Sequence, residues 1–150
     1  MAQKSDTAFI SNVDANEIKK RTRIFAINII RFVQSLPHQL PTDIIGRQLL
    51  RCGTSIGANY RAACRAKSRA DFVAKMKIME EECDESLYWM ELLAEIRVGH
   101  TTAIAELIVE AGQLLSIVVA SIITARTSIQ NSKSQIVNRK SSIVNPDGFH

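Results

Sequence analysis

Apolar residues recur along this chain in steps of three and four, and four separate stretches carry the pattern. Ile18, Thr22, Phe25, Ile29, Phe32 and Leu36 form the first, the seam of an amphipathic helix expected from about Asn16 to Ser35. Pro37 and Pro41 are expected to stop it, because proline lacks the amide a helix interior needs and restricts the residue before it. Thr42 followed by Asp43 reads as an N-cap with a carboxylate near the positive end of the helix dipole. Ile45, Leu49, Cys52, Ile56, Tyr60 and Ala63 carry the second seam. Ser68 with Asp71 is a capping-box variant that opens a third helix, with Phe72, Met76, Met79, Cys83, Leu87, Met90 and Leu93 inward and Gly99 as its end. Thr101 or Thr102 caps a fourth, whose seam is Ile104, Ile108, Ala111, Leu115, Val118, Ile122 and Ala125.

Four such helices joined by short connections fold most simply as an all-α, antiparallel up-down-up-down bundle. The pattern divides the chain into a flexible N-terminus over 1–15, the bundle over 16–127 and a polar tail over 128–150. The tail follows from an abrupt change after Arg126 to Ser, Asn, Gln and Lys, a composition that buries too little to order itself. Within it Ser134–Asn138 is echoed by Ser142–Asn145, units too short for a solenoid. Ile30, Val33, Leu50, Leu92 and Leu107 lie off the main seams and call for burial elsewhere, which points to a closed ring of subunits.

Gly53 and Gly57 fall inside the second helix, where two glycines cost about 2 kcal/mol relative to alanine unless their missing side chains are used. With Ser55 and Ala58 beside them, the expected use is close approach of a neighbouring helix. A phosphate-cradling loop has no support, since neither GxGxxG nor GxxxxGK spacing is present and the apolar period runs straight through. Tyr60, Tyr88 and Trp89 are expected to be mostly buried, in the core or an interface, with their polar atoms partnered.

Charge changes this picture. The net charge is +4, yet between Glu17 and Lys77 thirteen Lys or Arg face three carboxylates, and between Ile78 and Glu110 nine carboxylates face Arg97 alone. Neighbouring helices of opposite sign are the plain explanation. A phosphate-binding surface is the sharper one, from Lys19, Lys20, Arg21 and Arg23 on the first helix and Arg61, Arg65, Lys67 and Arg69 near the second junction. A third is that the basic and acidic halves meet between subunits.

Catalytic chemistry finds little support. Cys52, Cys64 and Cys83 form neither a disulfide framework nor a zinc pattern and read as small core hydrophobes in a reducing cytosol, so a cytoplasmic location is expected. The run Glu80–Glu85 invites a di-iron reading, but such bundles use inward Glu-x-x-His pairs, and His38, His100 and His150 fall in loops and the tail. No metal or cofactor is expected. The start of the chain has no signal-peptide pattern, and Leu114–Ala125 falls short of the roughly 20 apolar residues of a bilayer span, so no membrane role is expected.

The words of the chain also resemble a family. Phe25-Ala26 with Leu36-Pro37, Gln48-Leu49-Leu50-Arg51, Thr54-Ser55-Ile56-Gly57-Ala58-Asn59-Tyr60, Ser68 with Asp71-Phe72 and Lys75, Glu82, Asp84-Glu85, Tyr88-Trp89 and Glu91-Leu92-Leu93 are similar to the bacterial four-helix bundle proteins encoded, in some genomes, within intervening sequences of large-subunit ribosomal RNA genes. The resemblance covers Ile24 to Arg126, and it marks Arg51, Asn59, Tyr60, Phe72, Glu82, Glu85 and Trp89 as family positions. It implies a homopentamer with a central channel. It also implies kinship with accessory variability proteins of diversity-generating retroelements, which bind nucleic acid and a reverse transcriptase, and it brings no established activity. Ala62 and Glu81 depart from the family's charges near the contact of the second and third helices. The function expected is a non-catalytic oligomer binding structured RNA or DNA through phosphates; the alternative is a scaffold for another protein.

Overall fold

The computed structural model describes residues 14–144. Helices α1 (Ala15–Ser35), α2 (Leu40–Ala63), α3 (Arg69–Glu95) and α4 (Thr101–Val144) run up, down, up and down. Each packs on its two neighbours around the bundle, α1 resting far more lightly on α4 than on α2. Among the described residues there is no strand.

The seams become the core. Ile18, Phe25, Ile29, Phe32 and Leu36 of α1 meet Leu49, Cys52, Ile56 and Tyr60 of α2 and their counterparts on α3 and α4 in one buried cluster. Ile45, Leu87, Ile108 and Leu115 lie at its margin, while Gly46, Ser86, Leu114 and Ser121 complete the buried stripe. Leu107, expected to need a partner subunit, is buried within its own bundle; Val33 and Leu92 are half-buried, and Ile30 and Leu50 are exposed. The α1 stripe holds one polar member, Thr22, whose hydroxyl donates to the Ile18 carbonyl at 2.9 Å and so remains satisfied while buried.

Caps set the ends. Asp14 accepts from the amide of Asn16 at 3.0 Å, and Ser68 accepts from Asp71 at 3.0 Å while the Asp71 carboxylate accepts from the Lys67 amide at 3.0 Å. Two boundaries differ from the sequence reading. Pro41 does not terminate a helix but sits in the first turn of α2, where a missing amide costs nothing. Thr42 is therefore inside α2, buried, with its hydroxyl donating back to the carbonyls of Pro37 at 2.6 Å and Gln39 at 3.0 Å instead of capping.

Gly99 is also displaced from its expected role. The Val98 amide donates to the Leu93 carbonyl and the Arg97 amide to the Ala94 carbonyl, both at 3.1 Å, which is a Schellman ending with Arg97 at the left-handed position, φ 56°. Gly99 follows at φ 90°, and a Cβ there would stand 3.0 Å from the Phe32 ring and 3.1 Å from Leu36. Arg97→Gly should thus stabilise the protein by about 1 kcal/mol, by removing the left-handed strain of a residue with a Cβ. Thermal melts of the two proteins check this; an unchanged or lower midpoint rejects it.

Along α4 the last buried residue is Ala125 and partial burial ends at Ile129, but the backbone does not loosen there. No Gly or Pro lies between Gly112 and Pro146, and α4 continues to Val144 with every side chain from Gln130 to Ile143 exposed. The sequence reading expected a loose tail from residue 128, and over 128–144 the structure corrects it to helix. Residues 1–13 and 145–150, the rest of the two expected termini, lie outside the described residues. α4 is long and apolar enough to span a membrane by length and composition alone. Its inward stripe from Ile104 to Ala125 is nonetheless buried against α1 and α3, which is the position of a core helix.

Candidate nucleic-acid interface

The close α1–α2 contact is set by two glycines. A Cβ on Gly53 would stand 3.0 and 3.1 Å from the γ-carbons of Ile29, and one on Gly57 would stand 3.2 Å from the Thr22 hydroxyl oxygen. Ser55 is turned partly outward, its hydroxyl bonded to the Arg51 carbonyl at 2.7 Å, and Ala58 is exposed beside the contact.

Outside that contact lies a groove of about 810 Å³. Gly57, Ala58 and Thr54 line its α2 side together with Arg61; Lys19, Lys20 and Arg23 line its α1 side. All four cations are exposed and none is in an ion pair among the described residues. Small residues keep the groove open, because longer side chains on α2 would fill it. Arg65 and Lys67 lie exposed on the α2–α3 connection at the same end of the bundle. Arg69 begins α3 half-buried and is not a free cation.

Arg21 departs from the set. It turns to α4, where its Nε and Nη2 donate to the two Glu110 carboxylate oxygens at 2.9 Å each, and Nη2 also donates to Gln113 at 2.9 Å. The Glu110 hydrogen bonds hold its pKa above the ordinary arginine value. It bridges the lightly packed α1–α4 side, at the rim of a second groove of about 680 Å³ whose apolar lining includes Ile24, Phe25, Phe32 and Leu107.

Four family positions converge elsewhere. Arg51 on α2 reaches across to α3, with Nη2 on Glu85 Oε1 at 2.5 Å and Nη1 on both Glu82 oxygens at 3.4 Å. The Trp89 indole donates to the same Glu85 oxygen at 3.1 Å. Hydrogen bonds from Arg51 and Trp89 hold Glu85 below the usual carboxylate range, whereas burial pushes Glu82 up. Beneath this knot the Ser86 hydroxyl lies 3.2 Å from Cys52 Sγ, with its hydrogen bonded to the Glu82 carbonyl at 2.7 Å. Burial raises both Cys52 and Cys83, the latter to about 12, so neither is a thiolate nucleophile at neutral pH. Asn59 bonds locally, its amide nitrogen donating to the Ser55 carbonyl at 2.9 Å, and Phe72 is core. Among the described residues no cluster of three His, Cys, Asp or Glu is arranged to hold a metal ion.

The aromatics divide. Trp89 is half-buried and Tyr88 is 54% exposed on the outer face of α3, its ring edge-on to Trp89 at 5.0 Å. Tyr88 is not buried within its own bundle, because it falls one position outside the α3 seam. Tyr60 is buried, but its hydroxyl finds no hydrogen-bond partner among the described residues, with Cys64 nearby. Burial first, then Cys64, raises its pKa well above the phenol value. Tyr60→Phe should raise stability by about 1 kcal/mol, since an unsatisfied buried hydroxyl carries its full desolvation cost. A loss of stability in urea melts would instead reveal a partner for that hydroxyl.

The fold defines an all-α four-helix bundle in which Arg51, Glu82, Glu85 and Trp89 tie α2 to α3. The chain belongs to the 23S rRNA-intervening sequence protein family, whose sequence model matches residues 14–120. A solved crystal structure, of a protein of unknown function from the S23 ribosomal protein family of Bacteroides thetaiotaomicron, is similar to it at 31% identity, with a TM-score of 0.65 over 70% of this chain and 97% of that one. No curated protein matches the chain.

Proposed function

We propose that this protein is a non-catalytic, self-assembling bundle that holds RNA or DNA by its phosphates in the α1–α2 groove. The observation that carries the reading is the convergence of Lys19, Lys20, Arg23 and Arg61 on one groove lined by small residues, with no carboxylate among its lining residues. Point charges on flexible stems suit phosphate contacts and carry no base reading. Binding of ribosomal RNA fragments and unrelated RNA should then weaken alike with salt. Replacing the four groove cations by glutamine should flatten the slope of log affinity against log salt by about 3, at roughly 0.7–0.9 for each phosphate no longer neutralised. An unchanged slope in that variant would reject the groove.

Self-assembly is supported by a second stripe on α4. Val109, Gly112, Ser116, Val119 and Ile123 follow steps of three and four on its outer side; Val109 and Ile123 are each 60% exposed. A Cβ on Gly112 would meet nothing within 4 Å. A mid-helix glycine costs about 1 kcal/mol against alanine and has no use inside this chain. Close approach of another subunit gives it one.

A protein scaffold is the second reading, and the α1–α4 groove favours it. Its apolar lining of Ile24, Phe25, Phe32 and Leu107 suits an apolar side chain better than a phosphate.

A further inference from the structure

α4 has 44 residues and α3, its antiparallel partner, 27. At 1.5 Å per residue the difference projects α4 about 25 Å past the end of the bundle. The family match ends at residue 120, and 70% of this chain spans 97% of the solved relative. The projecting segment is therefore an addition to the shared bundle.

That segment is written in sevens. Ile122, Ile129, Ile136 and Ile143 form one column, and Arg126, Lys133 and Lys140, four residues further on and so on the same side, form a second. Inside the bundle Ile122 is buried and Arg126 exposed; outside it the same repeat leaves Ile136 55% and Ile143 75% exposed. A core stripe thus runs on beyond anything its own bundle covers. No Asp or Glu occurs from Ala111 to Pro146, and Lys133, Arg139 and Lys140 have no ion-pair partner among the described residues.

The composition makes the helix dependent on a partner. Serine, asparagine and β-branched residues are middling helix formers, and the hydroxyls of Ser132, Ser141 and Ser142 turn back to their own helix carbonyls. A segment of this length and composition is marginal as a helix in water without packing.

The complementary surface lies on α3. Ile78 and Tyr88 are 44% and 54% exposed there, and Glu81, Asp84 and Glu91 stand exposed beside them. Asp84 and Glu91 are likewise seven residues apart, and the three carboxylates have no ion-pair partner among the described residues. A helix with a seven-residue apolar column lies along a partner helix at a shallow crossing angle. Ile78 and Tyr88 offer apolar surface suited to the isoleucine column, and the carboxylates suit the lysine column.

We propose that the projecting end of α4 docks on the acidic outer face of α3 in a second copy of this chain. Its own α3 is out of reach, because α4 leaves past the N-terminus of α3 and contains no Gly or Pro after Gly112 at which to turn back. Phosphates would account for the lysines but not for isoleucine at every seventh position. The contact is distinct from the nucleic-acid groove and from the Gly112 stripe.

Zero-length carbodiimide cross-linking of the full chain tests it, on an equal mixture of unlabelled and 15N-labelled protein read by mass spectrometry. Lys133 or Lys140 should join Glu81, Asp84 or Glu91, and the linked peptides should include mixed-isotope pairs, which only contact between chains produces. Ile136→Asp keeps every lysine and should lower these products at least tenfold while circular dichroism shows the bundle intact. Lys133→Glu with Lys140→Glu should abolish them, and adding Glu81→Lys with Asp84→Lys should restore links of reversed polarity. The same links should persist in Gly112→Leu, which separates this contact from the other stripe. Links confined to one isotope, their absence in the unaltered protein, or indifference to Ile136→Asp would overturn the proposal. Loss of RNA affinity in the Lys133→Glu, Lys140→Glu variant, with no mixed links in the unaltered protein, would assign the segment to nucleic acid instead.

Discussion

Gly53→Leu should destabilise the bundle by about 3 kcal/mol or more and lower its melting midpoint by on the order of 10 °C. Even a Cβ at Gly53 would stand 3.0–3.1 Å from both γ-carbons of Ile29, and Gly53 is buried, so an isobutyl group adds three more carbons at a contact that is already tight. Ile29 is itself fully buried and β-branched, with little freedom to rotate away. α1 must therefore shift, and it carries Thr22 against Gly57 one turn along. Ile29→Ala, costly by itself, should make the leucine cheaper than the sum of the two single changes, which a double-mutant cycle measures directly. Strict additivity, or an unchanged melt for Gly53→Leu, would remove the close-packing argument for both glycines.

Gly112→Leu is the opposite experiment. The position faces open space in a single chain, so the substitution should leave the bundle folded and raise its helix propensity by about 0.8–1 kcal/mol. If the Val109–Gly112–Ser116–Val119–Ile123 stripe joins subunits, leucine at its centre should hold the helices apart and drop the mass in light scattering to that of smaller species. Ser116 adds no polar obstacle to that contact, since its hydroxyl is bonded to the Gly112 carbonyl at 3.0 Å. A folded variant with undiminished mass would clear this stripe of any role in assembly; a monomeric mass for the unaltered protein would reject assembly altogether.

These two glycine sites show how far periodicity carries. Both lie inside a helix pattern, yet the sequence reading marks only Gly53 as a place where a side chain is missing for a reason; Gly112 is singled out by the structure. Which way each faces is a matter of rotation. Gly53 faces α1 because the α2 seam of Leu49, Cys52 and Ile56 turns it there, while Gly112 sits just off the Ala111–Leu114 stripe and faces outward. A difference of about 100° around the helix axis, one residue in the sequence, separates a buried position from an outward one.

The basic residues teach the same lesson. Lys19, Lys20, Arg21 and Arg23 read as one cluster along the chain, yet consecutive helical positions point to different sides. Lys19, Lys20 and Arg23 line the groove with α2, and Arg21 turns to Glu110 on α4. Arg61 joins the first three from another helix, a partnership no local spacing announces. The Arg51–Glu82–Glu85–Trp89 knot was visible only as a set of family words, because Arg51 lies 31 and 34 residues from the two carboxylates it meets across the α2–α3 contact.

What the chain determined by itself was everything that depends on near neighbours along the backbone. The four seams, the Ser68 cap with Asp71 and the single bundle follow from a 3.6-residue period and from orphan amides that short side chains satisfy. The tertiary structure decided the rest. It set which face of each helix meets which neighbour, placed Arg97 in a left-handed turn with Gly99 packed close to Phe32 beyond it, and carried α4 through a polar segment that composition assigned to a tail. Those outcomes rest on contacts between residues distant in sequence and on backbone continuity, and neither is written in the period of the apolar positions.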